Sequence, residues 1–275
     1  MDCHDAGTEV HLKTSLGGNV CIRDGNRLDY CWKESIQSLL PVCDVVVACD
    51  GGSTDGTLEE IKAWCEREPK LHLSLYVWPE PKGDIEFWVN WLNAAREQIP
   101  CSHIIQLEAD EILDEYSYGA VRRYAEYGQR HTLRCKRLNF WKDHRHLIPP
   151  GVCCGHEVVR LAPQDMWLPS DGAHVKGETA VREAVDSTVQ IFHYGFLRRR
   201  EAFFEKAKAL QDYFFASYDP RLVDVERKLI LEGENAKGNW MQEIEGIEWK
   251  DNLIPYDGPH PLLAHQWLAE RGYAV

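Results

Sequence analysis

The feature that most constrains the fold is an alternation of short apolar runs with amphipathic segments between residues 19 and 113. The predicted strands are Asn19–Arg23, Asp44–Cys49, Leu71–Trp78 and Ser102–Leu107, and the predicted helices are Asp29–Leu40, Thr57–Arg67 and Ile85–Gln98. The second and fourth strands are apolar on both faces, which is typical of central strands in a parallel sheet. Strands that alternate with helices in this way predict an α/β fold with right-handed crossovers.

The second half of the chain has a different pattern. Strands are predicted at Thr132–Trp141, Glu157–Leu161 and Val189–Tyr194, and helices at Phe196–Tyr218, Arg221–Leu231 and Pro261–Arg271. We therefore expect a tail or edge strand at residues 1–18, a catalytic domain at 19–198, and a helical extension packed on it at 199–275.

Composition excludes several classes of protein. The formal net charge of −13 repels phosphate backbones, so broad nucleic-acid binding is not expected. No run approaches the roughly 20 apolar residues of a membrane span, and the acidic N-terminus does not resemble a signal peptide. The 10 cysteines are scattered and form no pattern typical of zinc sites, which predicts reduced thiols in a cytoplasmic protein.

A first candidate site follows the second predicted strand. This strand leads to Asp50, and the next residues are rich in glycine, serine and threonine up to the helix at Thr57. Glycines allow a ligand to approach the backbone, and a helix N-terminus favours anions. Asp50 is placed to accept hydrogen bonds from a base or ribose, while Ser53 and Asp55 fix the turn. The alternative is an ordinary capped turn, since these residue types are common in turns.

A second candidate site follows the fourth strand, where Glu108, Asp110 and Glu111 come directly after an apolar run. Burying such an edge without a cation is costly, so a divalent metal is a natural partner. Oxygen ligands favour Mg²⁺ or Mn²⁺, either of which can bridge a diphosphate. The alternative is a solvated acidic loop that caps the helix expected near residues 116–127.

Together the two segments resemble the inverting family-two glycosyltransferases of the GT-A fold. In that family one strand ends in Asp-x-Gly-Ser-x-Asp-Gly-Thr and a later one in Asp-x-Asp, often followed by Glu. The first motif matches with Gly51 where many members carry a second aspartate. The second matches as Glu108-Ala109-Asp110-Glu111, with glutamate in place of the first aspartate. The resemblance covers about Asn19–Leu113.

The resemblance implies a GT-A-like α/β fold, with a Rossmann-like mixed sheet flanked by helices. It also implies inverting sugar transfer from a nucleotide-diphosphate sugar, expected to be a UDP-sugar, assisted by Mn²⁺ or Mg²⁺. Asn93 lies seventeen residues before Asp110, as does an asparagine in some family members. The residues expected at the donor are Ile22, Arg23, Asp24, Asp50, Gly52, Ser53, Asp55, Asn93, Glu108 and Ala109. Those expected at the metal are Asp110, Glu108 and His193.

Further along the chain the resemblance is weaker. Arg160 and His193-Tyr194 are similar to segments of a lipopolysaccharide-core-like branch of the family, in which a downstream histidine completes the metal or diphosphate site. A neutral His193 would ligate the metal and a protonated one would bond to a phosphate, whereas a buried structural histidine is the alternative. The run Arg198–Arg200 is either a phosphate contact or a solvated helix start.

The acceptor base is the least defined part of the prediction. Inverting transfer requires a group that takes the proton of the acceptor hydroxyl. The branch has a His-Glu pair where this chain reads His174-Val175, so the expected glutamate is missing. The candidates are Asp171, His174 and Glu157, with Asp143 as a further one.

Two other functions stay open at this point. One is a nucleotidyltransferase on a similar sheet, and the other is a catalytically degenerate GT-A module that only binds nucleotides or glycans. The sequence does not distinguish an acceptor glycan from a protein or a modified nucleobase.

Overall fold

The computed structural model describes residues 15–78, 86–141, 143–150, 156–165, 184–199, 201–203, 205–206 and 252–274. The strands are β1 (Leu16–Ile22), β2 (Val45–Asp50), β3 (Leu71–Leu75), β4 (His103–Glu108), β5 (Glu111–Leu113), β6 (Leu133–Asn139), β7 (His146–Leu147), β8 (Glu157–Pro163), β9 (Val185–His193) and β10 (Ile254–Pro255). The helices are α1 (Trp32–Leu39), α2 (Thr57–Cys65), α3 (Glu86–Glu97), α4 (Tyr118–Glu126) and α5 (Ala264–Ala269). Eight strands form one sheet in the order β3-β2-β1-β4-β8-β6-β9-β5.

The parallel half of the sheet brings the two predicted sites together. β1 pairs in parallel with β2 on one side and β4 on the other, with Ile22 opposite Asp50 and Cys21 opposite Glu108. The carboxyl ends of these three strands therefore meet at one edge. Residues 16–18, which we expected in a tail or an edge strand, belong to β1 inside the sheet, so that expectation is wrong for them.

The antiparallel half contains a strand that the sequence analysis does not predict. After β4, the two residues Ala109 and Asp110 make a turn, and the chain returns as β5. β5 pairs with β9, which sets Glu111 opposite His193. The segment that reads as an acidic loop is thus partly a buried strand, and this pairing carries His193 to the carboxyl edge of β4.

Helices cover both faces of the sheet because its side chains alternate in direction. Val20 and Ala48 pack in a core with α1 and α4, whereas their neighbours Cys21 and Cys49 pack against Trp91 of α3. The predicted class, an α/β fold with a Rossmann-like mixed sheet flanked by helices, is confirmed.

The C-terminal residues described, 252–274, pack on the far end of the sheet. Trp267 and Leu268 of α5 share a cluster with Phe140, Phe192 and Tyr194. β10 adds a short antiparallel pair with β7. The predicted helix Pro261–Arg271 corresponds to α5. The predicted helix Phe196–Tyr218 starts too early, because residues 196–199 form a turn. Its part beyond Lys206 and the predicted helix Arg221–Leu231 lie outside the described residues.

The cysteines behave as expected in the part of the chain that the structure describes. Seven are free thiols, and all but Cys65 are buried. Within the same residues, none of the helices is long and apolar enough to cross a bilayer.

A buried histidine ties the C-terminal segment to the sheet and predicts a pH dependence. His260 Nε2–H donates to the His144 carbonyl at 2.9 Å, and the Tyr194 hydroxyl donates to His260 Nδ1 at 2.8 Å. Burial lowers the pKa of His260 to about 4. The unfolded chain therefore takes up this proton first, near pH 6.5, and stability present above that pH is lost as the pH falls towards 4.

We expect the free energy of unfolding to decrease by at most about 1 kcal/mol per pH unit from this group across that window. Urea unfolding of wild type and His260→Gln, followed by tryptophan fluorescence from pH 7.5 to 4.5, measures the contribution as a difference in slope. His72→Gln, at an exposed position of β3, is the control. Equal slopes for His260→Gln and wild type would contradict the prediction.

Candidate active site

The turn after β2 is built around Asp50, which is fully buried. Its Oδ1 accepts the backbone N–H groups of Gly52 and Ser53, each at 2.8 Å, and its Oδ2 accepts the Ser53 hydroxyl at 2.6 Å. Both carboxylate oxygens thus hold the turn, as the capped-turn interpretation predicts. The role of Asp50 in nucleoside binding stays a prediction.

The loops after β1 and β2 form one joined surface. The Asp24 N–H donates to Ser53 Oγ at 2.8 Å, and Asp24 Oδ1 accepts the Thr54 N–H at 2.8 Å. Asp55 accepts the Arg27 N–H at 2.7 Å and the Thr57 N–H at 3.0 Å. The side chains predicted at the donor therefore fix two loops at the carboxyl edge of adjacent strands.

Gly51 is the position at which many family-two glycosyltransferases carry an aspartate, and the structure shows what a side chain would meet there. A Cβ at Gly51 would lie 2.6 Å from Trp78 Nε1 and 3.1 Å from Arg23 Cβ. The Arg23 guanidinium also lies 4.6 Å from the centre of the Trp78 ring, a cation–π contact. Gly52 has φ of +89°, in the left-handed region that favours glycine.

The other residues predicted at the donor lie along the same edge or behind it. Ile22 is buried at the end of β1, and its carbonyl accepts the Gly51 N–H at 2.8 Å. Ala109 is buried in the turn between β4 and β5, and Asn93 is buried on α3. Their donor contacts stay predictions.

Two arginines that the sequence does not single out as counter-ions neutralise Glu111. Arg160 donates to both of its carboxylate oxygens, at 3.0 and 2.6 Å, and also to Glu108 at 2.6 Å. Arg137 donates to Glu111 at 3.2 Å. Burial alone would raise the pKa of Glu111, but the charges of Arg160 and Arg137 outweigh it and lower the pKa. Burial raises the pKa of Glu108 to about 7 because Arg160 offsets it only in part.

Asp110 forms ion pairs with two further cationic side chains. Its Oδ2 accepts Arg198 Nη2 at 2.7 Å and Lys206 Nζ at 3.1 Å. Burial opposes its charge, but Lys206, His193 and Arg198 hold the pKa of this carboxyl well below its usual range. Arg198 is buried against Asp110, so the solvated-helix interpretation is wrong for this residue, whereas Arg199 is exposed and pairs with Asp29 at 3.2 Å. Arg200 lies outside the described residues.

The ligands predicted for a metal converge. One ligand atom from each of Glu108, Asp110 and His193 lies within 4.8 Å of the others. Burial lowers the pKa of His193 to about 3, so its imidazole is neutral at pH 7 and in the form that ligates metals rather than the form that donates twice to phosphate. A Cβ at Gly195 would lie 2.5 Å from His193 Nε2 and 2.9 Å from Asp110 Oδ2, so the close approach requires glycine.

This donor set fits a divalent cation. Two carboxylates and one neutral imidazole suit Mn²⁺, and also Mg²⁺ through the oxygens. The shortest ion pairs of Asp110 and Glu108 use Oδ2 and Oε1, so each carboxylate has a second oxygen to offer.

The acceptor side is described in part. Glu157 begins β8, which runs antiparallel to β4, and its side chain is 63% exposed at the carboxyl edge with Arg134 Nε 3.9 Å away. Asp143 is bonded within its own turn, to His146 at 2.7 Å and the Arg145 N–H at 2.8 Å. Asp171 and His174 lie outside the described residues.

Comparison with known proteins adds only distant similarities. No family model matches the sequence, and no curated protein matches it. Residues 1–349 of TarS from S. aureus, in complex with UDP-GlcNAc, are 14% identical with a TM-score of 0.45, over 79% of this chain and 72% of that one. The mannosyltransferase PcManGT from Pyrobaculum calidifontis, in complex with GDP-Man and Mn²⁺, is 15% identical with a TM-score of 0.43, over 79% and 69%.

A nucleotidyltransferase is similar to the same degree. A glucose-1-phosphate thymidylyltransferase from Bacillus anthracis, in complex with a sucrose, is 9% identical with a TM-score of 0.43, over 69% of this chain and 94% of that one. Similarities of this size do not separate the two enzyme classes.

The Arg160 ion pairs predict a large cost for losing one partner. Arg160→Met leaves the buried Glu111 and the partly exposed Glu108 without their main counter-ion, which costs roughly 3–5 kcal/mol of unfolding free energy. Arg130→Met is the matched control, because Arg130 pairs with Asp165 at the surface, where the two side chains are 66% and 59% exposed. That exposed pair contributes at most about 1 kcal/mol. Urea unfolding measures both, and similar losses in the two variants would show that the buried network does not stabilise the fold.

Proposed function

We propose that the protein is a glycosyltransferase that moves a sugar from a nucleotide-diphosphate donor to an acceptor hydroxyl. The observation that carries this proposal is the convergence of Glu108, Asp110 and His193 beside the joined loops after β1 and β2. A diphosphate donor needs these features together: a surface for its nucleoside and a charged centre for its phosphates.

The sheet topology supports the same location. From β1 the chain builds outward to β2 and β3, and then returns to place β4 on the other side of β1. Ligands of open α/β sheets bind at such a switch point, outside the carboxyl ends of the strands. Here that switch point lies between the ends of β1 and β4, which lead to Asp24 and Asp110.

Each group of residues has a distinct role in this proposal. The loops that contain Asp24 and Asp50 hold the nucleoside, and Glu108, Asp110 and His193 would hold Mn²⁺ or Mg²⁺. A bound divalent ion stabilises the charge that develops on the leaving diphosphate. Arg198 keeps Asp110 ionised and fixes its orientation.

Inversion requires a base on the acceptor side, which takes the hydroxyl proton as the acceptor oxygen attacks the anomeric carbon. Of the two candidates that the structure describes, Glu157 is favoured because it is exposed at the carboxyl edge, whereas Asp143 is bonded within its own turn. Asp171 and His174 stay predictions for the same role.

The loop after β1 favours glycosyl transfer over nucleotidyl transfer. A nucleotidyltransferase would use a glycine-rich, basic loop here to hold a triphosphate. In this chain the Arg27 guanidinium is bonded to Asp24 and to Glu205, at 2.6 and 2.8 Å, and Arg23 stacks on Trp78. Both arginines of this loop therefore already contact other side chains of the protein.

A panel of nucleotide sugars, with and without Mn²⁺, tests the proposal. One donor at a hundred times its dissociation constant stabilises the native state by about 2.7 kcal/mol. For a chain of this size we expect a rise of roughly 5–10 °C in the melting temperature. No stabilisation by any donor would contradict the proposal, and stabilisation without release of nucleoside diphosphate would indicate a binding module.

With that donor, we expect Asp110→Asn or excess EDTA to slow nucleoside diphosphate release by at least a hundredfold, because the charge that holds the metal is lost. Asp165→Asn, at the surface, is the control. Since Arg198 and Lys206 lose their charged partner, urea unfolding must confirm that the Asp110 variant is folded under the assay conditions. Near-normal release by the folded variant would remove Asp110 from the site.

A further inference from the structure

The centre around Asp110 contains more positive than negative charge. By direct contact, four cationic side chains face three carboxylates: Arg137, Arg160, Arg198 and Lys206 against Glu108, Asp110 and Glu111. An excess of positive charge in a largely buried cluster attracts an anion and disfavours a divalent cation that arrives alone.

The two cations on Asp110 differ in how firmly they are held. The Arg198 side chain is 1% exposed, and it donates to the Gly195 carbonyl, the Leu28 carbonyl and Asp110 at 2.7, 3.0 and 2.7 Å. Each of its three nitrogens therefore already donates a hydrogen bond within the protein.

Lys206 is held much less firmly. Its side chain is 26% exposed, and within the described residues its ammonium makes one hydrogen bond, to Asp110 at 3.1 Å. The ammonium also lies 5.3 Å from the centre of the Tyr30 ring. An ammonium carries three donors on a flexible stem, so Lys206 can keep its place near Asp110 and still donate to a ligand.

Lys206 also stands between the two parts of the proposed donor site. Its neighbour Glu205 is bonded to Arg27 in the loop after β1, at 2.8 Å. Tyr30, beneath the Lys206 ammonium, ends the same loop. A molecule that reaches from this loop to Asp110 passes the ammonium, and in a nucleotide sugar the part between nucleoside and sugar is the diphosphate.

We propose that Lys206 binds the diphosphate of the nucleotide directly, so that nucleoside diphosphates bind to this protein before any metal does. The inference rests on the proposed function and deepens it. In this proposal a side chain of the protein binds the phosphates first, and the metal is needed only for the transfer of the sugar.

Calorimetry with UDP, GDP, ADP, CDP and dTDP, in excess EDTA and in Mn²⁺, tests the inference. We expect wild type to bind one of these diphosphates in EDTA. Lys206→Met should weaken that binding roughly ten- to a hundredfold, the effect of losing one charged hydrogen bond. Lys206→Arg should keep most of the affinity, and Lys206→Met should reduce the dependence of affinity on salt, which a purely structural role would not change.

Lys70→Met is the matched control. Lys70 donates to the Leu40 and Cys43 carbonyls, each at 3.0 Å, at the amino end of β3 and so at the opposite edge of the sheet. Binding that requires Mn²⁺ in wild type and is unchanged in Lys206→Met would overturn the inference and leave the glycosyltransferase proposal standing. Absence of binding to every diphosphate in both conditions would overturn both.

Discussion

The interaction on which the site depends is the neutralisation of the buried carboxylates at the turn from β4 to β5. Glu111 has no exposed surface, and its charge is compatible with the core only because Arg160 and Arg137 donate to it. This anchor fixes β5, whose pairing with β9 places His193 opposite Glu111 and brings it close to Asp110. Arg198 and Lys206 then neutralise Asp110 from the other side.

The sequence predicts the parallel half of the fold closely. Its strands are short apolar runs and its helices are amphipathic. The predicted first residues of α1, α2, β3 and β4 therefore lie within a few residues of the observed ones. The pattern fails at β5, because a strand of three residues beginning with a fully buried glutamate has no period to detect. Only the partners supplied by β6 and β8, Arg137 and Arg160, make that burial possible.

The site was predictable where it depends on local chemistry and not where it depends on distant partners. The convergence of Glu108, Asp110 and His193 follows from carboxylates at a strand end and a histidine at another strand end. The role of Asp50 within its own turn is also readable from the sequence. By contrast, Lys206 lies 96 residues beyond Asp110 in a segment whose pattern predicts only a helix, so no spacing argument places it at the site.

The central claim is that the carboxyl edge beside β1 and β4 is the donor site. The most direct test is a crystal structure of the protein soaked with Mn²⁺ and the nucleoside diphosphate that binds best in solution, with anomalous data for manganese. The account predicts one manganese peak in contact with Asp110 and His193, and a diphosphate between that peak and the loop that contains Asp24. A nucleotide bound elsewhere on the protein, or a manganese peak away from Glu108, Asp110 and His193, would contradict it.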